Sequence, residues 1–177
     1  PLYQSYLIAP RGRSVTGIDD LKGDIHAFSD PNSNSGYLVT ASLLAERKLR
    51  PDQFFRQVIF TYGHRNVVRA VASGLAQSGS VDGYIWEVMS SIEPELTAKT
   101  EIVAVSELLG FPPIACLRNQ RLSEGVELLH KSLVEMAQDE EGKQILNMLR
   151  LDGFADEPET LFDSIAAKMM LVRGLGS

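Results

Sequence analysis

The sequence predicts an α/β domain with a mainly parallel sheet and helices on both faces. Short apolar runs of strand length recur at 5–9, 24–28, 57–62, 80–82, 102–105 and 114–117. Between most of them lie segments whose apolar residues recur at helical spacing. Each run closes on Pro, Gly, Ser, Asn or Asp, the residues that punctuate strands and begin helices. Strands alternating with helices bring every strand-to-helix turn to the carboxyl edge of the sheet, where ligands usually bind.

In chain order, Ser5-Tyr6-Leu7-Ile8-Ala9 reads as a strand closed by Pro10, and Arg11-Gly12-Arg13-Ser14 as a polar turn. A single helical turn at 18–23 delivers the chain into the strand Asp24-Ile25-His26-Ala27-Phe28. A turn of Ser, Asp, Pro, Asn and Gly follows at 29–36, then a helix over 37–46. Pro51 starts a short second helix carrying Phe54 and Phe55. Gln57-Val58-Ile59-Phe60-Thr61-Tyr62 is the clearest strand, ending at Gly63-His64. The helix after it sets Val67, Val68 and Val71 on one side, and Gly74 and Gly79 frame the return. Ser80-Val81-Asp82-Gly83 is a strand and turn, and Tyr84 opens a helix carrying Ile85, Trp86, Val88 and Met89. Strands at 102–105 and, after Pro112-Pro113, at 114–117 complete the set.

Beyond Leu117 the pattern becomes helical. Residues 123–138 form an amphipathic helix with Ser123 as cap and Val126, Leu129, Leu133, Met136 and Ala137 as its apolar stripe. A second helix begins at Asp139-Glu140-Glu141, a solvated start favoured by the dipole, and carries Ile145, Leu146 and Leu149. A third, over 158–173, turns Leu161, Phe162, Ile165, Ala166, Met169 and Val172 inward. These helices need a surface to pack on.

Composition narrows the function classes. The 177 residues are 44% hydrophobic with a mean hydropathy of -0.04, the profile of a globular protein. No apolar run approaches the ~20 residues of a membrane span, and nothing at the start reads as a signal peptide. Pro1-Leu2-Tyr3-Gln4 lacks an initiator Met, so the chain is expected to come from a longer one. A net charge of -6, without a basic stripe, argues against a nucleic-acid partner. A small anion remains compatible, because a local cup can oppose the global field. Cys116 stands alone, which excludes an internal disulfide and a cysteine zinc site. No His, Cys, Asp or Glu cluster has metal-ligand spacing, so neither a metal nor a cofactor is expected.

The stretch from Ser29 to Tyr37 has the composition of an anion-binding turn. The first N–H groups of a helix lack internal partners and carry the positive end of the dipole, so hydroxyls around them complete a cup for an oxyanion. In this reading Ser33 or Ser35 caps the helix and Gly36 lets the backbone approach a ligand. An ordinary capped turn uses the same residues, and that reading stays open. His64 reads equally as a cap of the following helix, Asp82 as a turn aspartate bonding its own backbone, and Trp86 as core. A Ser35, His64, Asp82 catalytic set is disfavoured, because Asn32-Ser33-Asn34-Ser35-Gly36 is not a Gly-x-Ser-x-Gly elbow. No enzyme is expected.

Several strings together carry a resemblance: Asp20-Leu21-Lys22-Gly23, the run from Ala27 to Val39, Gly63-His64, Ala70-Val71-Ala72-Ser73-Gly74 and Val81-Asp82-Gly83. In that order and spacing the chain resembles the phosphate/phosphonate/phosphite-binding periplasmic solute-binding proteins, receptors of ABC importers. The same module serves as the sensor domain of membrane signalling proteins such as histidine kinases or cyclases. The resemblance covers residues 4–154 and implies a type II periplasmic-binding-protein fold, two α/β lobes with the ligand between them. On this basis residues 1–12 are a hinge crossing strand and 13–110 the second lobe with the anion site. Residues 111–177 are then a return strand and C-terminal helices of an incomplete first lobe, whose N-terminal half has no counterpart here.

The family's Ser-Thr-Ser oxyanion motif falls on Ser33, Asn34 and Ser35, where Asn34 replaces a hydroxyl with an amide. Its histidine falls on His64, which would donate to an anion oxygen, more strongly when protonated. Its acidic position falls on Asp82, and Tyr84 and Trp86 after it would contact the non-phosphorus end. The resemblance thus implies non-catalytic binding of a small phosphorus oxyanion or organophosphonate outside the cytoplasm. Partners would be an ABC permease or signalling domains of the same chain, with a homodimer or another chain completing the first lobe.

Overall fold

Residues 1–175 are described by the computed structural model. The chain forms two compact units, one of Leu2–Leu109 with the last helix from Phe162, the other of Gly110–Leu161 with Pro1. In order, the strands and helices of the first unit are β1 (Leu2–Tyr3), β2 (Ser5–Pro10), β3 (Ile25–Phe28), α1 (Val39–Ala45), α2 (Pro51–Phe54), β4 (Gln57–Phe60), α3 (His64–Ala72), β5 (Ser78–Asp82), α4 (Gly83–Ile92), α5 (Pro94–Thr97) and β6 (Thr100–Val105), and β7 (Leu109–Gly110) falls at the boundary. α6 (Glu124–Val134) and α7 (Glu140–Leu149) belong to the second unit, and α8 (Asp163–Gly174) returns to the first.

The main sheet has the order β4-β3-β5-β2-β6, and β1 pairs with β7 separately. β3 is parallel to β4 and β5, whereas β2 is antiparallel to both β5 and β6. It follows that β3, β4, β5 and β6 point one way and β2 alone runs against them. Parallel neighbours need crossovers, which α1 with α2, and α3, provide. The register pairs Ser5 with Asp82, so the amino end of β2 lies beside the carboxyl end of β5.

Alternation along the strands divides the core between the two faces. Ile8, Ala27 and Val81 pack with Val67, Val68 and Val71 of α3 and Met89 of α4. Leu7 and Phe28 pack with Leu44 of α1 and Phe54 and Phe55 of α2. Each fully buried valine or leucine contributes about 1.5–3 kcal/mol relative to exposure. A Cβ on Gly79 would lie 2.6 Å from Val67 Cγ1, so β5 and α3 pack closely only because position 79 has no side chain.

One buried polar chain crosses the second face. His26 is 0% exposed, with Nδ1 2.8 Å from Ser78 Oγ and Nε2 2.8 Å from Ser80 Oγ. Thr40 Oγ1 meets Ser80 Oγ at 2.7 Å, and Phe55 stacks on the imidazole. At the other end of β3, Arg13 holds Asp24 with two bonds of 2.5 and 2.7 Å and donates to Gln77 O at 2.6 Å.

Three expectations are corrected here. Residues 114–117 form no strand: Ile114 and Leu117 are 62% and 66% exposed, so the run has no sheet face to pack on. The helix expected over 123–138 ends at Val134 and closes through a tight turn at Met136–Gln138. Ser123 occupies its cap position without a side-chain cap bond, whereas Asp139 caps α7 by accepting the Gly142 N–H at 2.8 Å. On α8 the half-buried residues are Ile165, Lys168 and Val172, while Ala166 and Met169 are exposed. Among the described residues of the second unit, Leu146 is the one buried large apolar side chain.

Candidate anion-binding site

Ser33 sits in extended conformation after β3, and its Oγ accepts the Gly36 N–H at 3.0 Å. The first helical turn is wide. The Leu38 N–H bonds Ser33 O at 3.0 Å and the Val39 N–H bonds Asn34 O, both spanning five residues instead of four. Such a π-type turn over Asn34–Leu38 precedes α1, so the regular helix begins at Val39 and not at Tyr37. Gly36 has a different role from the one expected. A Cβ there would lie 1.8 Å from Ser29 Oγ and 3.0 Å from His64 Cε1, so the protein itself fills the space beside it.

Four further elements converge on this turn. Asn34 Nδ2 donates to the Tyr3 hydroxyl of β1 at 2.9 Å. Ser5 Oγ of β2 donates to Ser35 O at 2.6 Å, a contact that follows from the register of Ser5 with Asp82. Ser35 Oγ donates to Asp82 Oδ2 at 3.2 Å, and the other Asp82 oxygen accepts the Ile85 N–H at 3.3 Å, capping α4. The Asp82 N–H donates to His64 Nδ1 at 3.1 Å.

That last bond fixes the histidine's chemistry. A backbone N–H can only donate, so Nδ1 is unprotonated and neutral His64 carries its hydrogen on Nε2. Burial lowers the His64 pKa below its usual value, against an opposing pull from Asp82. His64 is therefore a neutral N–H donor near pH 7, not the imidazolium that would donate more strongly. Burial raises the Asp82 carboxyl above the usual carboxylate range, and His64 with hydrogen bonds from Ile85, Ser35 and Tyr84 opposes that rise. Tyr3 is also raised, chiefly by burial, with hydrogen bonds from Ser35 and Asn34 acting against it.

Ser33, Asn34, Ser35, His64 and Asp82 thus lie on one connected rim. Tyr84 stands in the first turn of α4. Trp86 is drawn into the core instead: its indole N–H donates to Thr100 Oγ1 at 3.2 Å and its ring packs on the cluster around Ile8 and Val67. Tyr3 and Ser5, which the sequence did not single out, bond to this turn, and Ser29, the first residue of the stretch, packs against Gly36. Ser29 Oγ and Asn34 Oδ1 are enclosed without a hydrogen-bond partner. The catalytic arrangement is absent from this rim, since Ser35 bonds Asp82 directly and His64 Nδ1 faces a backbone N–H.

The profile of the family described as ABC transporter, phosphonate, periplasmic substrate-binding protein matches residues 1–158. PhnD1 from Prochlorococcus marinus (MIT 9301), solved in complex with methylphosphonate, superposes with a TM-score of 0.81 at 18% identity, covering 97% of this chain and 67% of that one. A binding protein component of an ABC phosphonate transporter from Pseudomonas aeruginosa superposes with a TM-score of 0.87 at 22% identity, covering 99% of this chain and 59% of that one. An ancestral arginine-binding protein bound to arginine has a TM-score of 0.59 at 20% identity, covering 83% of this chain and 60% of that one. These are type II periplasmic-binding-protein folds, binding proteins and not enzymes, and this chain spans roughly three fifths to two thirds of their length. With its family profile matched over residues 1–158, the chain belongs to the periplasmic substrate-binding proteins of phosphonate ABC transporters.

Proposed function

We propose that this chain captures a small phosphorus oxyanion or organophosphonate at the turn of Ser33, Asn34 and Ser35 and presents it, in the periplasm, to an ABC permease. The observation that carries this reading is the convergence of that turn with His64 and Asp82 on one sheet edge. The Ser33 hydroxyl, its oxygen occupied by the Gly36 N–H, keeps its hydrogen for an anion oxygen. His64 Nε2–H supplies a second donor, and the amino end of the helical segment adds the positive end of its dipole. Ser35 hands its hydrogen to Asp82. Protonation of Asp82, favoured by its burial, releases that hydrogen toward a ligand. Bonds to an anion in such an enclosed place are stronger than in water.

The test is calorimetric titration of methylphosphonate and phosphate into the wild type and into Ser33→Ala and Ser35→Ala. Each variant is expected to weaken binding about tenfold or more, as loss of a charge-assisted hydrogen bond does. Urea melts will verify that both remain folded. Unchanged affinity in both folded variants would remove the site from this turn.

A further inference from the structure

Ser78, Ser80 and Asp82 alternate with Gly79 and Val81 along β5, so all three turn to one face of the sheet, and all three are buried. Each finds a partner across that face. Asp82 accepts from Ser35 at 3.2 Å, Ser80 meets Thr40 at 2.7 Å and His26 at 2.8 Å, and Ser78 meets the other imidazole nitrogen at 2.8 Å. Ser35 and Thr40 bracket the wide turn over Asn34–Leu38: Ser35 stands near its start, and Thr40 follows two residues after Leu38. The two bonds therefore fix both ends of that turn against one strand. The bond of Ser35 to Asp82 belongs to the rim already described, whereas Thr40, Ser80, His26 and Ser78 lie in the core at 0% exposure.

A turn of this width is uncommon, and the packing of α1 does little to select it. Were Ser33 O to accept the Tyr37 N–H, as at an ordinary helix start, instead of the Leu38 N–H, every residue of α1 would take its successor's place. On the side facing the sheet, Leu43 would then stand for Leu44 and Val39 for Thr40. The shift swaps leucine for leucine and, in shape, valine for threonine, but Val39 has no hydroxyl for Ser80. Six of the seven residues of α1 are buried, so no exposed face orients the helix either. A buried polar contact that is met in one register and broken in the other selects the first, because an orphaned buried group costs more than its bond is worth. We propose that the chain of Thr40, Ser80, His26 and Ser78 holds the turn over 34–38 in its wide form, and that Thr40 is thereby a positioning residue for the anion site. The positioning role rests on reading this turn as that site; the choice of register does not.

Thr40→Val keeps the shape and removes the hydroxyl, and Thr40→Ser keeps a hydroxyl. Two readouts are taken on the full chain. NMR couplings across the hydrogen bond report which amide Ser33 O accepts, and calorimetric titration with methylphosphonate reports binding. The wild type is expected to couple Ser33 to Leu38. Thr40→Val should couple Ser33 to Tyr37 and bind methylphosphonate about threefold to tenfold more weakly, the range set by one hydrogen bond. Thr40→Ser should keep the Leu38 coupling and most of the affinity, which a merely loosened core would not do. Folded Thr40→Val with the Leu38 coupling intact would overturn the selection of register, and equal weakening by valine and serine would overturn the role of the hydroxyl. A shifted coupling with unchanged affinity would overturn the positioning role. If the wild type binds no methylphosphonate, the anion-site reading fails and the positioning role with it, while the couplings still decide the register. Should Thr40→Val not fold, Ser80→Ala removes the same contact from the strand and is held to the same outcomes.

Discussion

Acidification should weaken this fold through His26 over a defined pH window. The imidazole is 0% exposed between Ser78 and Ser80, and burial lowers its pKa from 6.5 to about 3. The unfolded chain takes up this proton near pH 6.5, whereas the folded chain takes it up only near pH 3. Between those values the unfolded state binds more protons, so stability rises with pH across the window. The neutral histidine costs nothing above pH 6.5, and its loss grows as the pH falls toward 3. At about 1.4 kcal/mol per pKa unit, the full difference is ~5 kcal/mol, of which ~2 kcal/mol is lost by pH 5. That is a large share of a domain stability of about 5–15 kcal/mol. Urea denaturation of the wild type and His26→Gln at pH 8, 7, 6 and 5 measures it, because glutamine keeps a donor and an acceptor but does not titrate. The wild type should lose ~2 kcal/mol more than the variant between pH 8 and pH 5. Equal losses, or an NMR titration of His26 in the folded protein near pH 6.5, would refute the assignment.

Two further outcomes follow from the turn and its neighbours. Gly36→Ala should destabilise the fold by about 1–3 kcal/mol through overpacking, since its Cβ would meet Ser29 Oγ at 1.8 Å and Ser29 Cβ at 2.7 Å. Ser29→Gly in the same chain should recover part of that loss in a double-mutant cycle, and strict additivity would show that the contact does not limit position 36. For Asp82 the sign is opposite to that of His26. Its raised carboxyl contributes stability that is complete below the ordinary carboxylate range and is lost as pH rises through the folded value. Asp82→Asn should therefore gain on the wild type in urea melts between pH 4 and pH 7, and a gap that does not change with pH would contradict the burial of a charged carboxylate.

Local pattern was enough to place β2, β3 and β4, because alternation and punctuation by Pro and Gly are written into single segments. It was not enough for 114–117, where apolar composition suggested a strand but Ile114 and Leu117 are left exposed, with no sheet to join. Nor does a strand's own pattern state its direction, which is why β2 running against its four companions was not legible. The site divides along the same line. Ser33, Asn34, Ser35, His64 and Asp82 stand at turns whose shared sheet edge follows from the alternation of strands and helices. Tyr3 and Ser5 join them only through strand pairing at the far end of the sequence. Gly36 was legible as a residue without a side chain, but the atoms that require this, Ser29 Oγ and His64 Cε1, come from elsewhere in the fold.

The same tertiary partners weigh against reading the turn as an ordinary helix cap. A cap needs one oxygen on one early N–H, and the Ser33 bond to Gly36 meets that need in full. Nothing in capping calls for Ser35 to be 2% exposed with its hydroxyl on a carboxylate that is itself 6% exposed. Nor does it call for an asparagine whose Oδ1 is enclosed and unmet. Burying such groups costs free energy wherever their bonding is incomplete, and an alanine at either position would spare the fold that cost. A buried polar cluster that exceeds the demands of the helix it begins is explained when a ligand completes it.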